Sequence, residues 1–73
     1  MFINVQTEDM LVLSRTPTLN QFSRFVLATR TKSGYDLELF CNFEGRSLGV
    51  KGKANKRNVI GRAEYMLINA RYM

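Results

Sequence analysis

No histidine occurs anywhere in this chain, and that absence narrows its chemistry more than any residue present. It removes the commonest general base, the commonest metal ligand and the usual switch of charge near neutral pH. A single cysteine, Cys41, excludes an intramolecular disulfide, and with no histidine it also argues against a zinc site. An unpaired thiol in phase with Leu39 reads as a small buried apolar side chain, as expected in a reducing compartment. No run approaches the ~20 apolar residues a membrane helix needs. Residues 1–10 hold Glu8 and Asp9 and no long apolar stretch, so they do not read as a leader, and a cytoplasmic location is expected. These absences argue against an enzyme and against a bound cofactor. Acids are also scarce: 6 Asp+Glu face 11 Lys+Arg, a net charge of +5 that favours phosphate groups, nucleic acid or an acidic protein as partner.

What is there fits one domain, residues 1–73, small enough that its core must be used economically. Phe2, Ile3 and Val5 suggest a first strand and 11–13 a second extended piece. Whether 6–16 is a hairpin or a loop stays open, because periodicity alone does not choose. Thr18-Leu19-Asn20-Gln21 has the Thr-x-x-Gln form of a capping box. Leu19, Phe22, Phe25 or Val26, and Thr29 follow at helical spacing, and Lys32-Ser33-Gly34 closes the segment. A helix is therefore expected over about 18–32.

From Tyr35 the pattern changes to strict alternation. Tyr35, Leu37, Leu39, Cys41 and Phe43 point one way, Asp36, Glu38, Phe40 and Asn42 the other. Glu44-Gly45 suits a hairpin turn, and Leu48 and Val50 continue the apolar face on the return. Gly52 is expected to end that strand, a short helix to span about 54–62, and residues 64–73 to form a last, central strand. The expected class is α/β (α+β): a two-layer sandwich with an antiparallel or mixed four-stranded sheet and both helices on one face.

The stretch Tyr35-Asp-Leu-Glu-Leu-Phe-Cys-Asn-Phe-Glu-Gly-Arg-Ser-Leu-Gly-Val-Lys-Gly-Lys53 resembles the second and third strands of the histidine-containing phosphocarrier protein of the bacterial sugar phosphotransferase system. Gly61-Arg-Ala-Glu-Tyr-Met-Leu-Ile68 is similar to the approach to that family's fourth strand, and Arg15-Thr16-Pro17 to its first helix start. The resemblance covers about half of the chain. It implies a non-carrier, shortened relative of bacterial or phage type: Leu13, Ser14 and Arg15 stand where the phospho-accepting histidine belongs. Gly52 stands near the family's regulatory serine, and the family's last helix is missing.

The positive charge gathers late. Lys51, Gly52, Lys53, Lys56, Arg57 and Arg62 form the candidate anion or nucleic-acid site, with Gly52 admitting close backbone approach and helix-start N–H groups aimed at the ligand. The alternative is a solvated helix face. Arg15, Arg24 and Arg30 could extend the positive surface, and Tyr35, Phe40, Phe43 or Tyr65 could stack on bases if exposed beside the lysines. Large apolar residues on both strand faces point to self-association, with Phe40, Tyr65 and Leu67 as the candidate contacts of a homodimer. The reading from sequence is a non-enzymatic binding or regulatory module that self-associates; the alternative is a nucleic-acid-binding protein using residues 51–62.

Overall fold

A computed structural model describes residues 1–42 and 45–70. The described residues form five strands and one helix: β1 (Phe2–Gln6), β2 (Met10–Ser14), β3 (Arg24–Thr31), β4 (Gly34–Cys41), β5 (Arg46–Ala54) and α1 (Val59–Ala70). The strands pair in chain order, β1-β2-β3-β4-β5, each antiparallel to the last. Helix α1 lies on one face of this meander, chiefly over β3 and reaching β2, β4 and β5.

The alternation of each strand sorts the side chains. On the helix side Leu11, Leu13, Val26, Ala28, Leu37 and Leu39 meet Val59, Ala63, Leu67 and Ala70 in one buried cluster. Leu13, Val26 and Leu39, at the centre of that face, are fully buried. Their partners in register, Leu13↔Val26↔Leu39, form a row across the three inner strands. Tyr35, Leu48, Val50, Ala54 and Met66 close the margins.

This architecture corrects the four-stranded sheet with two helices. Residues 24–31 are the central strand β3, not the second half of a helix over 18–32. Helical spacing and two-residue alternation both fit Phe25-Val26-Leu27-Ala28-Thr29; β-branched and aromatic content, with a neighbour on each side to pair with, decides for the strand. The capping-box residues before it lie in a loop held by local polar bonds. Ser14 Oγ donates to the Thr16 carbonyl at 2.8 Å, Asn20 Oδ1 accepts from the Phe22 N–H at 2.8 Å, and Ser23 Oγ accepts from the Asn20 N–H at 3.0 Å. Such bonds give the backbone an alternative to helix. The segment also anchors elsewhere: Asn4 Nδ2 donates to the Thr16 carbonyl, and the Asn42 N–H to the Ser23 carbonyl.

The last third reverses in the same way. Gly52 does not end a strand; β5 runs on to Ala54. The short helix expected at 54–62 and the strand expected at 64–73 are replaced by α1. Val59, Ala63, Leu67 and Ala70 recur at intervals of four, four and three, and all are buried. Asn55 and Asn58 start this helix as a reciprocal pair. Asn55 Oδ1 accepts from the N–H groups of Arg57 and Asn58, and Asn58 Oδ1 accepts from the N–H of Asn55 at 2.8 Å. This is a capping box built from amides, in which one residue of each orphaned pair satisfies the other.

The hairpin that begins at Tyr35 is present as β4–β5, and 6–16 holds the turn and the second strand of the β1–β2 hairpin, whose first strand is Phe2–Gln6. Phe43 and Glu44 lie outside the described residues, as do 71–73 of the expected last strand. Both outer strands carry irregularities. β1 shifts register between Ile3 and Val5, and β5 uses the four steps from Ser47 to Lys51 against two from Glu38 to Phe40. Gly49, at φ 80°, supplies the left-handed residue that this detour needs.

Two stability outcomes follow from this packing. Leu39→Ala, which empties a fully buried site under α1, is expected to cost about 2–5 kcal/mol in urea unfolding. Gly34→Ala is expected to cost about 1–3 kcal/mol, because Gly34 sits at φ 152° and an added Cβ would overlap the Ala54 carbonyl oxygen. Wild-type midpoints for either variant would contradict this account of the core and of the β3–β4 turn.

Candidate anion-binding groove

β5 is an edge strand, bonded to β4 on one side only. Beyond its bulge it straightens, and Lys51, Gly52 and Lys53 stand opposite Glu38, Leu37 and Asp36. Gly52, opposite the buried Leu37, faces the helix, while Lys51 and Lys53, opposite Glu38 and Asp36, alternate to the outer face of this edge strand and border the groove from there. The Asn55–Asn58 cap then turns the chain so that α1 runs back beside the same strand. Residues 58, 61, 62, 65, 66 and 69 share one helical face, and that face looks at the β5 edge.

Between the two elements lies a groove of about 540 Å³. Val50, Gly52 and Met66 provide its apolar surface, and a Cβ on Gly52 would touch Met66 Sδ at 3.8 Å. Lys51, Lys53 and Arg62 add three positive charges, Asn58 and Asn69 add amides, and Tyr65 adds an aromatic ring that is 70% exposed. None of the described residues lining the groove is acidic. On their other side Lys51 and Lys53 border a hollow of about 270 Å³ with Asp36 and Glu38, and Asp36 Oδ1 lies 4.0 Å from Lys53 Nζ in an exposed pair. Such a pair holds the lysine weakly, because water screens it on all sides.

Four of the six basic-site residues read from the sequence therefore line one groove: Lys51, Gly52, Lys53 and Arg62. Lys56 lines a separate shallow depression with Arg30 and Lys32. Arg57 belongs to the capping turn, and its N–H, with that of Asn58, is bound by Asn55 Oδ1. The helix start expected to aim N–H groups at a ligand thus has two of them satisfied internally. Tyr65 is the aromatic that stands beside the lysines; Tyr35 packs against the core, and Phe40 lies on the opposite face of the sheet stacked on Phe25 at 5.4 Å. Leu67, expected as a contact between copies, is buried under the helix. The three candidate self-association residues Phe40, Tyr65 and Leu67 thus occupy three different environments. Arg15 and Arg24 line a smaller hollow of about 210 Å³ with Phe22, on the far side of α1.

Asn58, Met66 and Asn69 were not singled out as groove residues. Their spacing with Arg62 and Tyr65 carries the signal once 59–70 is known to be helical; read as a strand, it scatters them over two faces. Neither a family model, nor a curated protein, nor a solved structure matches this chain. Among the described residues, no three His, Cys, Asp or Glu side chains come together as a metal-holding group, and no helix is long and apolar enough to cross a membrane.

The exposed Lys53–Asp36 pair gives a direct test of how the charge is held. Asp36→Asn is expected to change unfolding free energy by no more than about 0.5 kcal/mol. A loss several times larger in denaturant titration would show that the pair is structural and that Lys53 is not available to a ligand.

Proposed function

We propose that this protein is a non-enzymatic binding module that takes single-stranded nucleic acid along the groove between β5 and α1. One observation carries the reading: Lys51, Lys53 and Arg62 border, with an exposed tyrosine ring, one groove whose described lining holds no acid. A strand of nucleic acid offers both complementary chemistries at once, phosphates for the cations and flat bases for the ring. Stacking of a base on an aromatic side chain contributes about 1–3 kcal/mol and tolerates any sequence. The amides of Asn58 and Asn69 can donate to or accept from base edges or phosphate oxygens. Gly52 and Gly61 keep the walls low, so a backbone can approach the strand edge closely.

Phosphate alone, or a small phosphorylated ligand, would use the cations but leave the ring and the apolar floor unfilled. That is why the polymer is favoured. A regulatory module similar to the phosphocarrier protein, without phosphocarrier activity, is the second reading. The open sheet face, which invites another protein surface, favours it. Either module would work in the reducing compartment that a lone, half-buried Cys41 suits, which we take to be the cytoplasm.

Fluorescence anisotropy with labelled single-stranded oligonucleotides tests the proposal. Three phosphate contacts give a slope of about −2 in log affinity against log salt. Lys53→Glu and Arg62→Glu should each weaken binding at least tenfold and flatten that slope. Tyr65→Ala should weaken it by about ten- to a hundredfold with the slope unchanged, since it removes stacking and not charge. Absence of binding at low salt, or binding indifferent to all three substitutions, would remove this function.

A further inference from the structure

The face of the sheet turned away from α1 carries more apolar surface than an uncovered face requires. In register, Phe2, Ser14, Phe25, Phe40 and Ser47 form one row across all five strands. Val5, Val12, Leu27, Glu38 and Lys51 form the next. Val12 is buried although no described strand or helix lies over it, and Phe25, Leu27 and Phe40 are half-buried. Phe2 and Val5 remain 44% and 42% exposed. A sheet with one solvated face ordinarily alternates polar residues there. Here six large apolar side chains from β1 to β4 make a continuous patch.

We infer that this face is the contact between two copies of the chain, packed sheet on sheet. Two features select a second copy over other partners. The first is charge. In a protein of net charge +5, the strand residues of this face carry Asp36 and Glu38 on β4 directly opposite Lys53 and Lys51 on β5, so the face is neutral. Two like-charged chains meet most readily across surface that carries no net charge of its own, with charges of both signs left at the rim. An anionic bilayer or polymer is drawn instead to the basic surfaces elsewhere. The second feature is size. Five strands about 4.8 Å apart and some 20 Å long present roughly 500 Å², so two copies would bury about 1,000 Å², the lower end of what a specific interface buries. A two-fold axis puts the same patch on both sides and closes the assembly at two. Lys51 and Lys53, on the edge strand, border both this face and the groove, so the apolar patch from β1 to β4 can be covered while the helix wall of the groove, with Arg62 and Tyr65, stays open.

Sedimentation velocity on the full chain tests this. The wild type is expected to run as a dimer, and Val5→Lys and Leu27→Lys to raise the dissociation constant at least a hundredfold while circular dichroism stays unchanged. Val5 is already half exposed, so Val5→Lys alone decides the matter if Leu27→Lys fails to fold. Tyr65→Ala, in the groove, should remain dimeric, and the Val5→Lys monomer should still bind oligonucleotide, which separates this inference from the nucleic-acid reading. A wild type that stays monomeric at high concentration overturns the proposal. So does a dimer that survives both lysines, one that dissociates on Tyr65→Ala, or a monomer that floats with phosphatidylcholine–phosphatidylglycerol vesicles.

Discussion

The packing of α1 on the inner strands is the constraint on which everything else in this molecule rests. The helix presents Val59, Ala63, Leu67 and Ala70, and two of those four are alanine. Small side chains let the helix axis come close to β3, where Ala28 is also small, so that Leu13, Val26 and Leu39 are sealed from water. In a domain of this size the buried cluster is nearly the whole hydrophobic driving force, and conformational entropy opposes it over every ordered residue. The helix is too short to be stable alone, so it exists because it docks. Where it docks fixes the groove, since the face of α1 beside the buried stripe is the one that looks at β5.

The two faces of the sheet differ in character as a result. The inner face is closed by the helix, and its margin at β5 becomes a basic cleft with no acid among the described residues that line it. The outer face has no helix to cover it, yet keeps phenylalanine, valine and leucine in register. The edge strands differ as well. β5 is guarded by Lys51 and Lys53 and detours at Gly49, which are familiar ways of discouraging strand addition. β1 breaks its own register at Asn4, whose side chain is occupied with the 16–17 carbonyls. With both edges blunted, the sheet is protected from open-ended strand pairing.

Much of the strand content was legible as alternation. Tyr35 to Cys41 alternates with no competing period, and the structure places Leu37 and Leu39 inside and Asp36 and Glu38 outside as that pattern demands. The basic cluster was legible too, because Lys51, Lys53 and Arg62 stand out in any reading of charge. The failures came where two periods fit the same residues. Phe25 to Thr29 satisfies both a helical stripe and a strand, and a Thr-x-x-Gln sequence just upstream tilted the choice towards helix. Residues 65–70 alternate in hydrophobicity and also complete a helical stripe that begins at Val59. Local sequence cannot weigh the pairing partners on either side of β3, nor the vacancy over the inner face that α1 fills.

The sequence by itself determined the chemistry this protein has available: no imidazole, one thiol, an excess of lysine and arginine, and strands with apolar residues on both sides. Those facts hold in any fold, because they depend on side-chain identity and on the two-residue period of an extended chain. Tertiary structure alone decided which of these residues meet. It made 24–31 a central strand, because a segment with neighbours on both edges gains a full set of ladder hydrogen bonds that an isolated helix there could not match. It made 59–70 the helix, because that stripe was the one able to close the core. By laying that helix beside β5 it brought Arg62, which charge had already grouped with Lys51 and Lys53, and the ring of Tyr65 to the border of one groove.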